Sequence, residues 1–449
     1  LAFFPLWGQV PCPTFFQCMN WDEQPKHATI QMLHTSYILS MKFVHNNPFL
    51  GENSLKERCL IHVHLLSKEN FRGLIMQPPL IPENKKFSPY LVFFTVAGMQ
   101  IGIGVLGFQR IIAKFAGYDA WISVLLAGLS THIIIWFIYK QLETVNGDLT
   151  DIHSAVFGKW IGKLLNLFFV FYFSLFVVTV LRTYIEVIQV WMFPDMSTAW
   201  FTFAYLLLSI YVINGGIRTV VGLFFFGSVL PYYIIYFYGY AIPFSDFRHF
   251  LPIFNHSLND VIEATQGMSL TNLGYELLLI YYPFIKAPNK SKKWSHIGLL
   301  FTTIVNLYVT FITFAFYSQA QLQKDIWATL TTFKIIHFPV VERFEFIGIA
   351  NWCLVVLPIV CLSLWSASRV LKRTLKVKQK YGVILISCFV FFINIQLKSR
   401  FHVDIINNII ADMGFIINYV YIPLLFLLLM IVNKVKKKMK KQNNHSATS

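Results

Sequence analysis

The amino-acid sequence predicts an all-α integral membrane protein of about ten transmembrane helices. Three observations carry that expectation: the ratio of apolar to charged residues, the length of the apolar runs, and the way positive charge alternates between successive connections. Of 449 residues, 56% are hydrophobic and 13% charged, too little polar surface to coat a water-soluble globule of this size. Lipid is the remaining solvent. Inside a bilayer each backbone donor and acceptor must be satisfied within the spanning element. Runs such as Leu164 to Val180 do not alternate in polarity as barrel strands do, so they are expected to be helices.

A helix rises about 1.5 Å per residue across about 30 Å of hydrocarbon, so a span takes about 20 apolar residues. The expected spans are approximately 89–113, 120–139, 161–191, 200–212, 219–242, 267–285, 297–318, 346–371, 382–397 and 413–432. If each crosses, Lys and Arg should gather on alternate connections. One side holds 21 of them, including six lysines from Lys434 to Lys441, and the other holds 8, among them Arg110, Arg248, Lys324 and Arg400. Both termini are therefore expected on the cytoplasmic side. A formal net charge of +16 in a soluble protein would point to nucleic acid. Here much of the positive charge sits where it meets anionic lipid headgroups, and no nucleic-acid partner is expected.

The chain divides into three parts. Residues 1–75 mix Pro, His and Cys with no run long enough to span a bilayer and no targeting signal. Met76, followed by Gln77-Pro78-Pro79 and Lys85-Lys86, reads as a natural start with a short basic leader, so 1–75 is expected to be a non-native or disordered extension. Residues 76–433 form the ten-helix membrane domain, and 434–449 a basic cytoplasmic tail. The six cysteines include no C-x-x-C pair, and P-loop, H-E-x-x-H and G-x-S-x-G motifs are absent. No enzymatic activity, metal or cofactor is expected.

The informative residues are polar ones inside apolar runs. The first span carries Gly98, Gly102 and Gly104 around Gln100, and each glycine weakens a helix by about 1 kcal/mol relative to alanine. This is either a helix break or a site of close packing. The sixth span opens Gly267-Met268-Ser269-Leu270-Thr271-Asn272-Leu273-Gly274-Tyr275-Glu276, polar where hydrocarbon demands apolar residues. If ten helices are two sets of five, these interruptions correspond. Paired interruptions mark a binding site, because half-helix ends present free amides and carbonyls to a ligand. Glu276 would recognise an ammonium group, relay a proton or hold two helices together. Arg182 and Glu186, four residues apart, share a helix face and are expected to form a structural ion pair or to pair with a neighbouring helix; a gating role is the alternative. The segment 325–336 has helical apolar spacing but is too short to cross, which suits a surface helix or an external lid. Gly104→Leu should fill the site, and Gly107→Ala, one turn on, should be tolerated.

A family resemblance rests on an ordered set of such segments. They are Gln100-Ile101-Gly102-Ile103-Gly104-Val105-Leu106, Ala116-Gly117-Tyr118-Asp119-Ala120-Trp121-Ile122-Ser123, Gly158-Lys159-Trp160-Ile161-Gly162-Lys163 and Leu181-Arg182-Thr183-Tyr184-Ile185-Glu186-Val187-Ile188. Gly215-Gly216-Ile217-Arg218, Leu273-Gly274-Tyr275-Glu276 and Glu342-Arg343-Phe344-Glu345 follow. Over 87–432 the chain resembles the spore germination B-subunit family, the permease-like subunits of nutrient germinant receptors, within the amino acid, polyamine and organocation permease superfamily. The resemblance implies two inverted five-helix repeats with helices 1 and 6 broken around a central site. By matching positions, that site is Gln100, Gly102, Gly104, Thr271, Gly274 and Glu276. It also implies a larger A subunit and a lipoprotein C subunit as partners in the inner membrane of the dormant spore, and a small nutrient, an amino acid or sugar, as the germination signal. Net amino acid transport is the rival reading. Proton-coupled permeases of the superfamily often carry a lysine in the fifth span, and none occurs between Thr219 and Ile242.

Overall fold

The computed structural model describes residues 81–336 and 343–445; the expectations for 1–75 and for Met76 fall outside them. Helix is the dominant regular element among the described residues, and the one strand-like contact is a bridge between Phe87 and Ile285. That outcome follows from the solvent, since a helix satisfies its own backbone.

The first expected span is two helices, α1 (Leu91–Gln100) and α2 (Phe108–Ala116). Then come α3 (Trp121–Val145) and α4 (Leu149–Trp191), the latter kinked at Gly158, whose φ of 76° lies in the left-handed region. A capping box of Asp148 and Asp151 starts α4. The next segments are α5 (Thr198–Asn214), α6 (Ile217–Val229) and α7 (Tyr232–Tyr238). The sixth segment consists of α8 (Leu258–Gly267), an irregular stretch, and the short α9 (Leu278–Tyr281). A long α10 (Ser291–Phe316) leads to two short helices, α11 (Gln319–Lys324) and α12 (Ala328–Thr332). The chain closes with α13 (Phe344–Leu375), α14 (Gln379–Gln396), α15 (Arg400–Ile416) and α16 (Ile422–His445), the last two joined by a π-turn at Ile417–Tyr421.

Each of the ten expected segments contains helix. Among the described residues, seven continuous helical runs are long and apolar enough to cross a membrane, and α1 and α5 are shorter apolar helices. The partition of side chains is inside-out. Trp160, Trp200 and Tyr211 face outward at 87%, 75% and 77% exposure, while Gln100, Gln109, Gln141, Asn166, Glu276 and Asn306 are buried. In water that arrangement would be unfavourable; in lipid it places apolar surface against the solvent and polar groups against each other. The longest helices, α4 and α13, pack along one another more extensively than any other pair and form the central wall. The phenol of Tyr184 ties them by donating to the Ile349 carbonyl at 3.0 Å.

Contacts between connections agree with the charge alternation. At one end Lys292 pairs with Glu143, and Arg373 pairs with Asp148 at 2.5 Å and Asp151 at 2.7 Å. At the other end Asp119 accepts backbone hydrogen bonds from Phe254 at 2.8 Å and Asn255 at 2.7 Å. The Arg182 guanidinium there donates to the Leu397 carbonyl at 2.7 Å. Each contact joins segments that the Lys and Arg distribution puts on the same face. Lys290→Cys and Lys378→Cys are therefore expected to react with an impermeant thiol reagent only after membranes are opened, and labelling of either in intact cells would overturn this topology.

Candidate functional site

Two helix breaks meet in the middle of the bundle. α1 stops at Gln100, a tight turn covers Ile103–Leu106, and α2 begins at Phe108. In the sixth segment the chain leaves α8 at Gly267 and resumes helical geometry at Tyr275. The expected sixth span, 267–285, is thus only its second half. Its first half, α8, lies upstream because Leu258–Gly267 carries too many polar residues to register as an apolar run. The Ser257–Asp260 capping box is the signal that marks its start.

Breaking a helix at this depth exposes backbone groups that lipid cannot satisfy, and side chains from other helices meet them. Gln100 donates to the Asn272 carbonyl at 3.0 Å, tying one break to the other. The Trp352 indole donates to the Gly102 carbonyl at 3.3 Å. Thr329 and Gln109 both donate to the Val105 carbonyl, at 3.0 and 3.2 Å. Glycine is required where the breaks touch. A Cβ on Gly104 would lie 2.8 Å from Thr271 Oγ1 and 3.0 Å from Thr271 Cα. Gly274 has a φ of 105°, and a Cβ there would strike Met99.

A cavity of about 100 Å³ opens beside this junction, several times the room one water needs. Gln100, Gly102, Gly104 and Thr271 line it, as do Thr179 and Thr183 of α4, Arg110 of α2, Trp327 and, from α15, Arg400 and Asn407. The structure brings four of the six expected ligand residues together. Gly274 and Glu276 are not among the lining residues. Glu276 is 1% exposed, with Oε1 accepting from Tyr172 at 2.8 Å and Oε2 from the Gly274 amide at 2.7 Å. Of the three expected roles, this geometry matches the one that holds helices together, because both oxygens are turned onto the protein.

Of the two structural arrangements expected for Arg182 and Glu186, the structure matches pairing with neighbouring helices and not an ion pair between the two. Glu186 pairs with Arg400 at 2.9 Å, and Arg182 turns to the carbonyl that ends α14. A shared helix face placed the two residues near each other, but better partners come from α15 and α14: an opposite charge on one side, a helix C-terminus on the other. Segment 325–336 is not a free surface helix, since Ile326 and Trp327 form a wall of the cavity. The expectation for Gly107 is overturned as well. A Cβ there would come within 2.3 Å of the Ile326 carbonyl oxygen, so alanine is not tolerated as the one-turn offset suggested. Thr179 and Thr183 are not among the expected site residues, although two threonines one turn apart inside an apolar helix mark a polar stripe.

An all-helical membrane bundle in which two interrupted helices border a small cavity, lined by apolar side chains with a few polar ones, is a fold shared with solved transporters. A Na+-coupled sialic acid symporter in its substrate-bound outward-open state aligns with a TM-score of 0.56 over 78% of this chain and 79% of its own, at 14% identity. Mhp1, a nucleobase-cation-symport-1 family transporter in a closed conformation with bromovinylhydantoin bound, aligns with a TM-score of 0.55 over 79% and 80%, at 11% identity.

Within that class, the family model described as spore germination protein matches residues 86–403, and the chain belongs to that family. The spore germination protein GerQB of Bacillus cereus is 44% identical over 348 residues, 78% of this chain and 97% of the relative. Spore germination protein A2 of Bacillus subtilis is 22% identical, covering 67% and 84%.

The glycine contacts give a paired expectation. Gly107→Ala should lower the stability of the detergent-solubilised chain by about 1–3 kcal/mol through overpacking. Gly222→Ala, in α6 with open space around it, should be neutral or slightly stabilising. Thermal unfolding of both variants checks this, and equal behaviour would contradict the packing at Gly107.

Proposed function

We propose that this chain is the germinant-sensing, permease-like subunit of a spore nutrient receptor. A small nutrient, an amino acid or sugar, binds between the broken first and sixth helices and shifts the subunit between two conformations by its differential affinity for them. The observation that carries this reading is the convergence of Gln100, Gly102, Gly104 and Thr271 on one cavity in a member of the spore germination family. The N-terminal end of a half-helix carries partial positive charge. The tight turn at Ile103–Leu106 that leads into α2 therefore suits a carboxylate or hydroxyl oxygen, received by the Gly102 and Gly104 amides, while Thr271 takes a donor. Gly274 and Glu276 act one layer behind, keeping the sixth segment unwound.

In this reading the ten spans are two inverted five-helix repeats with both termini cytoplasmic. The subunit sits in the inner membrane of the endospore beside an A subunit and a lipoprotein C subunit. The relatives named as germination proteins support the setting. A second reading, net transport of an amino acid, is favoured by the likeness to coupled symporters. Uptake of labelled nutrient into vesicles containing the chain alone separates the two.

Spores carrying Gly104→Leu or Thr271→Val, matched for receptor abundance, should need a higher germinant concentration. The shift expected for Thr271→Val is about tenfold, the equivalent of one lost hydrogen bond of about 1–1.5 kcal/mol. For Gly104→Leu the response should be lost. Unchanged dose-response curves for both would place the nutrient elsewhere.

A further inference from the structure

The cavity is electrostatically one-sided. Among the described residues that line it are two arginines, Arg110 and Arg400, and no carboxylate. Arg400 is already paired: it lies 2.9 Å from Glu186 and 2.8 Å from Asp404, with its guanidinium 5.3 Å from the centre of the Trp327 ring. Arg110 differs. Among the described residues its hydrogen bond goes to a neutral acceptor, the Gln323 carbonyl, at 3.4 Å, and no carboxylate forms an ion pair with it. Glu276 is not among the lining residues: its two oxygens accept from the Tyr172 phenol and the Gly274 amide. On the α4 wall, Thr179 is 3% exposed and its hydroxyl has no hydrogen-bond partner. A buried hydroxyl left in that state is stabilised by whatever polar group enters beside it.

We propose that the cavity selects its ligand by charge: it accepts small polar molecules of zero or negative net charge, rejects net cations, and contacts them through the Thr179 hydroxyl and the Arg110 guanidinium. Arg110 sets the preference. An unbalanced positive charge in a partly desolvated cleft, at an effective dielectric of about 20, favours anions over cations by about tenfold or more over distances of about 10 Å. The ligand class that follows is an amino acid with an uncharged or acidic side chain, or an uncharged sugar. Lysine-like molecules and polyamines are excluded. The proposal deepens the reading of the cavity as a nutrient site and rests on it, yet its test needs no nutrient.

The full-length chain carrying Thr179→Cys, in membranes, is reacted with two thiol reagents of similar size and opposite charge, sulfonatoethyl and trimethylammonioethyl methanethiosulfonate. Rates are normalised to those with a free thiol and corrected for the native cysteines with the unsubstituted chain. The anionic reagent should react about tenfold faster or more, Arg110→Gln should bring the ratio toward one, and Arg110→Glu should invert it. A cationic reagent that reacts as fast as the anionic one overturns the proposal. So does a ratio that Arg110→Gln leaves unchanged, or a thiol at position 179 that neither reagent reaches. An anion preference combined with normal germination of Gly104→Leu spores would leave the charge selection standing and remove the nutrient reading instead.

Discussion

A backbone carbonyl or amide stranded in hydrocarbon costs several kcal/mol, and this chain strands a run of them twice, near 101–107 and 268–274. The structure depends on how those groups are met. Gln100 reaches from one break to the Asn272 carbonyl of the other, Trp352 comes from α13 to Gly102, and Thr329 comes from α12 to Val105. The breaks are thereby cross-linked to each other, to the central wall and to the segment above the cavity. Irregular backbone persists in a membrane protein where it is buried in protein or lines a cavity, and both conditions hold here.

The cavity follows from the same constraint. Two chains that must approach closely without side chains between them need glycine, and Gly104 against Thr271 supplies that approach. Glu276 belongs to the support of the site rather than to its surface: its carboxylate receives the Gly274 amide at the turn where φ is positive, and Tyr172 of α4 holds the other oxygen. In the proposed reading sensing and stability are coupled, since a ligand that draws on the amides of one break would act on a network that also fixes the other.

Much of this was legible in the sequence because lipid makes polar residues conspicuous. Gly102, Gly104 and Thr271 stood out inside apolar runs, and they do line one cavity. Other features were not legible, for reasons that are physical. α8 is not legible as a span because Leu258–Gly267 is too polar to read as an apolar run. The i, i+4 rule brought Arg182 and Glu186 together but knows nothing of other helices, and the true partner of Glu186, Arg400, is 214 residues away. The intolerance of Gly107 is set by a single carbonyl, that of Ile326, which no local pattern reveals. Glu276 looked like a ligand group because burial and cavity lining give the same signal in a hydropathy reading.

The central claim, that both helices are open at the cavity, is tested most directly by hydrogen–deuterium exchange of the membrane-embedded chain. The amides of 102–104 and of 270, 271 and 273 should exchange far faster than those of the flanking helices α1, α4 and α13, because water in the cavity reaches amides that no helix protects, whereas Ile101 and Asn272 keep backbone hydrogen bonds to Ala97 and Met268. Uniform protection from 91 to 116, as in one unbroken helix, would contradict the account.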